Sequence, residues 1–435
     1  MARRILAVFV ALLLAAGAQA QSIIRDAEIE RGLRELAAPI LAEAGLPRSI
    51  RIVVVNSDSL NAFVADGRHI FIHSGLLMRM ERPAELQAVI AHEAAHIANG
   101  HLTARPAAAG RASTGAALGL ALALAVTGAG NSEAGIGIAA GTQSAAARGF
   151  FAHTRAEEAS ADQSALRYLT SAGIDPQAMR DVLEIFRGQE ALSANRQDPY
   201  VRTHPLTRDR LRAVEAFVAA RGSGPFDPTL EAQYWFARTV AKLSAFLRAP
   251  RWTLNQTRNA DDEISILRRA IAHHRSADAN RALAEMARLL QMRPSDPYYQ
   301  ELQGQILFES RQFQAAIAAY GRAVDLAPRE PLILAGFGQA LLAVESAAND
   351  RAALDILERA YARDPANPRM LRDLALAYAR TGSPGLASSV TAERYALIGQ
   401  LETAAIHAER ALGLLPEGAP AWLRAQDVLR AADAL

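Results

Sequence analysis

Cysteine is missing from the 435-residue chain. That excludes disulfides, thiolate metal sites and a cysteine nucleophile, so any metal must be held by His, Asp or Glu. An excess of charge of one sign is missing too. There are 47 Lys and Arg against 45 Asp and Glu, a formal +2, and without a leader carrying Arg3 and Arg4 the two signs balance. A chain so close to neutral does not fit a nucleic-acid binder dominated by phosphate contacts. Apolar residues are plentiful at 51%, with 21% charged. This composition builds real cores rather than a disordered chain, and the length points to two or three domains.

The chain opens with Arg3 and Arg4, an apolar run from Ile5 to Ala16, and Ala18-Gln19-Ala20. These are the charged, apolar and cleavage regions of a secretory signal. The apolar run is shorter than the ~20 residues that span a bilayer. Residues 1–20 are therefore expected to be a cleaved signal peptide leading to the bacterial periplasm. No cysteine follows the cleavage point, which leaves no site for a lipoprotein anchor.

Residues 22–46 predict an amphipathic helix through Ile29, Leu33, Leu36, Ile40 and Leu41. Arg51–Val55 predicts a strand, and Asn61–Ala65 with Arg68–Ile72 a hairpin turning at Asp66-Gly67. A helix is expected from about Pro83 to Leu102, and further helix over residues 153–190. Between them, residues 107–147 are almost entirely Ala, Gly, Ser, Thr and Leu. That composition reads as a buried Ala-rich helix with flexible flanks, or as a lid or membrane-touching loop. Gly222–Pro225 reads as a linker, and everything from about 229 as helix.

A 34-residue period runs through the C-terminal third. Gly304, Ala316, Tyr320, Ala323 and Pro328 have the offsets of one such unit; Ala353, Leu357, Ala360 and Pro365 repeat the last four after a small insertion, and Ala404, Ala408, Ala411 and Pro416 repeat them again. Small residues at these offsets let two helices cross closely, and the prolines end each unit. This is the pattern of tetratricopeptide repeats, which stack into a curved solenoid. The expected division is a signal peptide at 1–20, a catalytic domain at 21–222, and a helical linker with repeats at 229–435, the repeats starting near 263.

The sharpest chemical signal is His92-Glu93-Ala94-Ala95-His96. On a helix, positions i and i+4 share a face, so both imidazoles reach one ion and Glu93 stands where it can take a proton from water. Leu86, Val89, Ile90 and Ile97 give that helix an apolar face. A catalytic zinc takes three protein ligands and keeps one position open. Arg155-Ala-Glu157-Glu158-Ala-Ser-Ala-Asp162 offers the third from another helix. Glu158 and Asp162 share a face, with Glu158 as ligand and Asp162 orienting a ligand histidine. Glu157 points about 100° away and is the weaker choice. His101, five residues after His96, falls off the ligand face and reads as structural. His69, His73, His273 and His274 have no ligand spacing.

HExxH followed by a helix bearing E-x-x-x-D resembles the HtpX and CAAX-prenyl-protease group of zinc peptidases and their soluble relatives. The likeness covers about residues 22–215 and includes Asn61-Ala62-Phe63, the Gly67 hairpin and Gly75-Leu76-Leu77. With a leader in front and repeats behind, the whole resembles the BepA-like periplasmic branch of that group. Ala95 stands where these proteins often have glycine, a change that keeps a small residue. The resemblance implies a mainly α fold: a gluzincin-type metalloprotease domain of helices and a small sheet, then an α-solenoid of repeats. It implies one zinc per chain on His92, His96 and Glu158, with Glu93 as general base. It brings in His204 of Thr-His-Pro-Leu, on a loop over the site, as a plug in the open zinc position or an oxyanion stabiliser. It also brings in Arg210, as a group that binds substrate backbone or a carboxylate.

The leading expectation is a zinc endopeptidase whose edge strand near Asn61–Ala65 receives extended peptides. By resemblance, its clients are misassembled or stalled outer-membrane proteins. The repeats would hold the client or dock on the outer-membrane barrel assembly machinery. Peripheral membrane contact through 107–147 fits the composition, and nucleic acid does not. The competing expectation is a periplasmic chaperone or scaffold with a latent, histidine-plugged zinc. No sugar-binding pattern supports a peptidoglycan hydrolase.

Overall fold

The computed structural model describes residues 23–101, 155–189, 192, 196–221 and 226–433. The expected leader, the 107–147 segment and the Gly222–Pro225 linker lie outside the described residues. Elements are numbered below in the order in which the described residues form them.

Helix α1 (Ala27–Glu43) starts at Asp26, whose carboxylate accepts the N–H groups of Glu28 and Ile29. Its buried stripe is Ile29, Leu33, Leu36, Ile40 and Leu41. Ile23 and Ile24, expected to begin this helix, instead form strand β1, paired antiparallel with Val55 and Val54. The Asp26 cap decides the boundary, because it satisfies the helix's first amides only if the chain enters extended.

Strands β2 (Arg51–Val55), β3 (Ala62–Val64) and β4 (His69–His73) complete a sheet of order β1-β2-β4-β3. Strands β2 and β4 run parallel, while β3 pairs antiparallel with β4 at the edge. The turn between them is tied by Asp66, whose carboxylate accepts the N–H groups of Arg68 and His69 and lies 2.8 Å from His69 Nδ1. Ile52, Val54, Ala62, Val64, Ile70 and Ile72 face one continuous core with α1 and the next long helix.

After the single turn α2 (Ser74–Leu77) comes α3 (Pro83–Ala98), buried at every residue from Pro83 to His96. It stops short of the expected Leu102, closing at Gly100 with φ +71°. Helix α4 (Arg155–Ser171) packs along α3. The helix expected through residue 190 is broken after Ser171 by Gly173, at φ +71°, and resumes as α5 (Gln177–Ile185). Short α6 (Pro199–Thr203) and α7 (Arg208–Arg221) finish this unit.

Helices α8 (Leu230–Leu247) and α9 (Pro250–Gln256) lead into ten more. These are α10 (Glu263–Arg275), α11 (Ala279–Met292), α12 (Pro297–Glu309), α13 (Phe313–Leu326) and α14 (Pro331–Leu342). They continue as α15 (Ala347–Tyr361), α16 (Pro368–Arg380), α17 (Pro384–Leu397), α18 (Leu401–Leu414) and α19 (Pro420–Asp433). Consecutive helices pack in pairs, and Ala316, Ala323, Ala353, Leu357, Ala360, Ala404, Ala408 and Ala411 are fully buried where they cross. The fold is mainly α: a domain of helices around a small four-stranded sheet, and a solenoid of stacked helix pairs.

The first and last parts of the chain meet at α1. Gly32 lies so close to α8 that a Cβ there would collide with Thr239 Oγ1. Buried Glu28 accepts from Arg238 Nε at 2.6 Å, and Arg238 reaches Asp296 at 2.5 Å. Lys242, the chain's single lysine, is fully buried and holds Asp26 at 2.9 Å, Glu28 at 3.2 Å and Glu301 at 3.7 Å. Arg25 reaches Asp364 of the repeats at 2.5 Å. Among the described residues no helix is long and apolar enough to cross a membrane.

Candidate metal centre

Three elements converge on one buried point. Helix α3 carries His92, Glu93 and His96, helix α4 carries Glu158 and Asp162, and the corner from α6 into α7 carries His204, with Arg210 on the first turn of α7. Small residues make the approach possible: Ala91, Ala94 and Ala95 on α3, and Ala161 and Ala165 on α4, are all fully buried. Pro205 ends α6, and the His204 N–H closes that helix on the Tyr200 carbonyl at 2.7 Å.

His92, His96, Glu158 and His204 each offer one ligand atom, and the four atoms lie within 4.8 Å of one another. Nε2 of His92 is 3.1 Å from Nε2 of His96 and 3.3 Å from Nδ1 of His204. Oε1 of Glu158 is 3.3 Å from His96 Nε2 and 3.0 Å from His204 Nδ1. Ligands about 2.0–2.1 Å from a tetrahedral ion stand roughly 3.3–3.4 Å apart along each edge. Four of the cluster's six edges, at 3.0–3.3 Å, come close to that spacing, and none exceeds 4.8 Å. Nitrogen and carboxylate donors without thiolate suit zinc. Both oxygens of Glu93 are buried beside the cluster with no hydrogen-bond partner among the described residues, Oε1 lying 3.5 Å from His204 Nε2. Such a carboxylate is costly unless a ligand or water completes it. The donor set and this orphaned group fit a resident zinc.

Further contacts orient the ligands. Asp162 Oδ1 lies 3.0 Å from His92 Nδ1. His101 Nδ1 lies 2.9 Å from His96 Nδ1, so this histidine, expected to be purely structural, touches a candidate ligand. His204 Nε2 sits 3.2 Å from the Ala62 carbonyl. Donation to that oxygen puts the ring proton on Nε2 and leaves the Nδ1 lone pair facing the cluster. The His204 ring stacks on Tyr200 at 4.7 Å, and Tyr200 on Phe186 at 4.5 Å.

Arg210 does not reach outward to a substrate, as one expectation had it. It is buried, donating from Nε and Nη2 to Asp162 at 2.6 and 2.8 Å, and from Nη1 to the Pro205 carbonyl at 3.0 Å. Nη1 also lies 2.6 Å from Glu158 Oε2. The carboxylates it meets, Asp162 and Glu158, are the protein's own.

Electrostatics follow from this packing. Burial pushes Glu93 up, only partly opposed by His204 and His92. Burial would also raise Glu158, but the surrounding histidines hold it well below the usual carboxylate range. Asp162 is likewise held low against burial by Arg210 and His92. Burial would lower His92, yet Asp162 and Glu158 push it up to about 10, while burial keeps His96 well below the ordinary value.

His69 and His73 are buried but remain outside the cluster. Burial lowers His73 to about 4, and its Nδ1 is 2.8 Å from Ser59 Oγ. Tyr200 escaped the sequence reading, although its place four residues before His204 on one helical turn was a signal.

An HExxH helix facing a glutamate-bearing helix, with buried nitrogen and oxygen donors between them, defines a gluzincin-type metallopeptidase domain. Residues 24–218 match peptidase family M48. The beta-barrel assembly-enhancing protease of Yersinia pestis is 25% identical over 406 residues, 91% of this chain and 80% of its own. The protein of that name from Escherichia coli K12 is 27% identical over 190 residues, 43% of this chain and 39% of its own. A Vibrio cholerae relative is 27% identical over 251 residues, and the match spans about half of that protein, 51%. Among solved structures, MamA of Desulfovibrio magneticus RS-1 aligns over 37% of this chain and 92% of its own at 17% identity, TM-score 0.33. In organisation the chain resembles a BepA-like M48 protease, with the family match over residues 24–218 followed by stacked helix pairs of the tetratricopeptide-repeat type.

Proposed function

We propose that the protein is a latent zinc endopeptidase of the bacterial periplasm that degrades misfolded or stalled outer-membrane proteins and assists their assembly. The observation that carries the peptidase reading is the cluster of His92, His96, Glu158 and His204 around one point, with the orphaned Glu93 carboxylate beside it. The client class and compartment are supported by the names of the Yersinia and Escherichia relatives and by the leader-like N-terminus.

His92, His96 and Glu158 would hold the zinc, which when bound supplies the Lewis acidity that activates water and polarises a carbonyl. Glu93 removes a proton from the attacking water and returns it to the leaving amine. Its proton affinity, raised by burial, suits both transfers. Asp162 orients His92, and Arg210 keeps Asp162 and Glu158 in place. Strand β3 offers its edge to an extended peptide once the His204 segment withdraws. That segment takes the Ala62 carbonyl through His204 Nε2 and the Leu60 carbonyl through the Tyr200 N–H at 3.3 Å. Latency therefore has two parts, a filled ligand position and an occupied strand edge. The same placement of His204 favours a second reading, a chaperone or scaffold whose zinc is rarely used. In either case the repeat solenoid would present the client or dock on the assembly machinery.

The test is cleavage of an unfolded protein such as casein by wild type, Glu93→Gln and His204→Ala, with zinc measured on each. Faster cutting by His204→Ala, and none by Glu93→Gln with its zinc intact, is the expected result. No cleavage by any of them, each holding one zinc, would pass the case to the scaffold reading.

A further inference from the structure

We propose that His101 is the positioning residue for His96, seated by a glycine-closed helix end. The inference rests on the reading of His92, His96 and Glu158 as metal ligands. On an uninterrupted helix, a residue five positions on would stand about 140° from His96 and could not touch it. Helix α3 is not continued. Gly100 takes φ +71°, its N–H donates to the Ile97 carbonyl at 3.1 Å, and the His101 N–H donates back to the His96 carbonyl at 3.1 Å. These two bonds are a Schellman closure, which folds the second residue past the helix end back over the residue five before it. Here the side chains that meet are His101 and His96, Nδ1 to Nδ1 at 2.9 Å.

Two facing ring nitrogens need one proton between them. His96 turns Nε2 to the cluster, so as a ligand it keeps its proton on Nδ1 and donates it to His101 Nδ1. His101 then accepts at Nδ1 and carries its ring proton on Nε2. The two histidines of the motif are thus oriented differently, His92 by the Asp162 carboxylate and His96 by the His101 imidazole. The choice has a reason in charge. Glu93, Glu158 and Asp162 already crowd the site against Arg210, and a fourth carboxylate would weaken the Lewis acidity of a bound zinc.

Zinc affinity of the whole protein, measured by chelator competition on wild type, His101→Ala and His101→Asn, tests this directly. Removing an outer partner of a ligand histidine typically costs about 10–100-fold in metal affinity. That loss is expected for His101→Ala. His101→Asn, whose Oδ1 stands where Nδ1 stood, should stay within about threefold of wild type, and the visible spectrum of the cobalt-substituted protein should follow the same order. A merely structural helix end would shift the unfolding midpoint and leave affinity and spectrum alone. Affinity of His101→Ala within about twofold of wild type would overturn the proposal while the metal site stands; a wild type that binds no zinc would overturn both. Should His101→Ala not fold, a nitrogen–nitrogen coupling across the His96–His101 contact in the zinc-loaded wild type decides, and its absence refutes the proposal.

Discussion

At the residue scale, Arg210 carries most of the electrostatic order around the candidate centre. Its planar fork meets Asp162 through two nitrogens, and its third nitrogen reaches Glu158. Lysine, a compact charge on a flexible stem, cannot reproduce that geometry. Arg210→Met would leave two buried carboxylates without their cation, which costs about 3–5 kcal/mol. Arg210→Lys should recover only part of the loss. Urea unfolding followed by a signal from the peptidase domain measures both, and a cost below about 1 kcal/mol for Arg210→Met would show that the histidines alone hold the carboxylates. His92, Glu93 and His96 were legible in the sequence because one helical turn fixes their relation. Their relation to Glu158 and His204 was not, since it depends on how far α4 and the α6–α7 turn close on α3. The burial of Arg210 was hidden for the same reason: spacing does not say which way a guanidinium points.

At the scale of the element, boundaries were misread where a capping group outweighed periodicity. Ile23 and Ile24 fit the apolar stripe of α1, but Asp26 caps the helix after them and the sheet takes their backbone. Gly100 and Gly173 each ended a helix earlier than its composition implied. The repeats were easier to read, because their small residues recur at fixed offsets. Packing shows what two of their glycines are for. A Cβ on Gly304 would lie 2.8 Å from Tyr320 Cδ2, and one on Gly336 2.7 Å from Tyr320 Cε1, so the ring fills the room that both leave. In a free helix, Gly→Ala gains about 1 kcal/mol. Here overpacking of about 1–3 kcal/mol opposes it. Gly336→Ala should therefore lower the unfolding midpoint of the repeats, and Tyr320→Leu should relieve the penalty in the double variant. A stabilised Gly336→Ala would mean that the ring has room to move.

At the scale of the whole molecule, the peptidase domain and the solenoid are joined through buried charge. Lys242 is the chain's single lysine, and its compact, fully buried ammonium lies within ion-pair distance of three carboxylates, Asp26, Glu28 and Glu301. Glu301 is the most distant of the three. Burial and the neighbouring Asp26 and Glu28 outweigh Lys242 and raise it from 4.5 to about 7. The folded state therefore binds this proton more tightly than the unfolded chain. Its contribution to stability is full below about pH 4.5 and is lost as pH rises towards 7. Glu301→Gln should gain on wild type between about pH 5 and about pH 8, read from urea midpoints at both. An equal difference at the two values would show that Glu301 is ionised throughout.

The sequence by itself determined the chemistry on offer and the local forms that carry it. The absence of cysteine restricted a metal to His, Asp and Glu, the HExxH spacing put two imidazoles and a carboxylate on one helix, and the 34-residue period set the repeats. These are short-range facts, settled by helical geometry and side-chain type. Only the tertiary structure decided that His204 joins His92, His96 and Glu158 in one cluster, that Arg210 pairs with Asp162 and Glu158, and that Gly100 turns His101 onto His96. Each of these depends on distances between elements that packing sets, or on one backbone angle that spacing along the chain does not record.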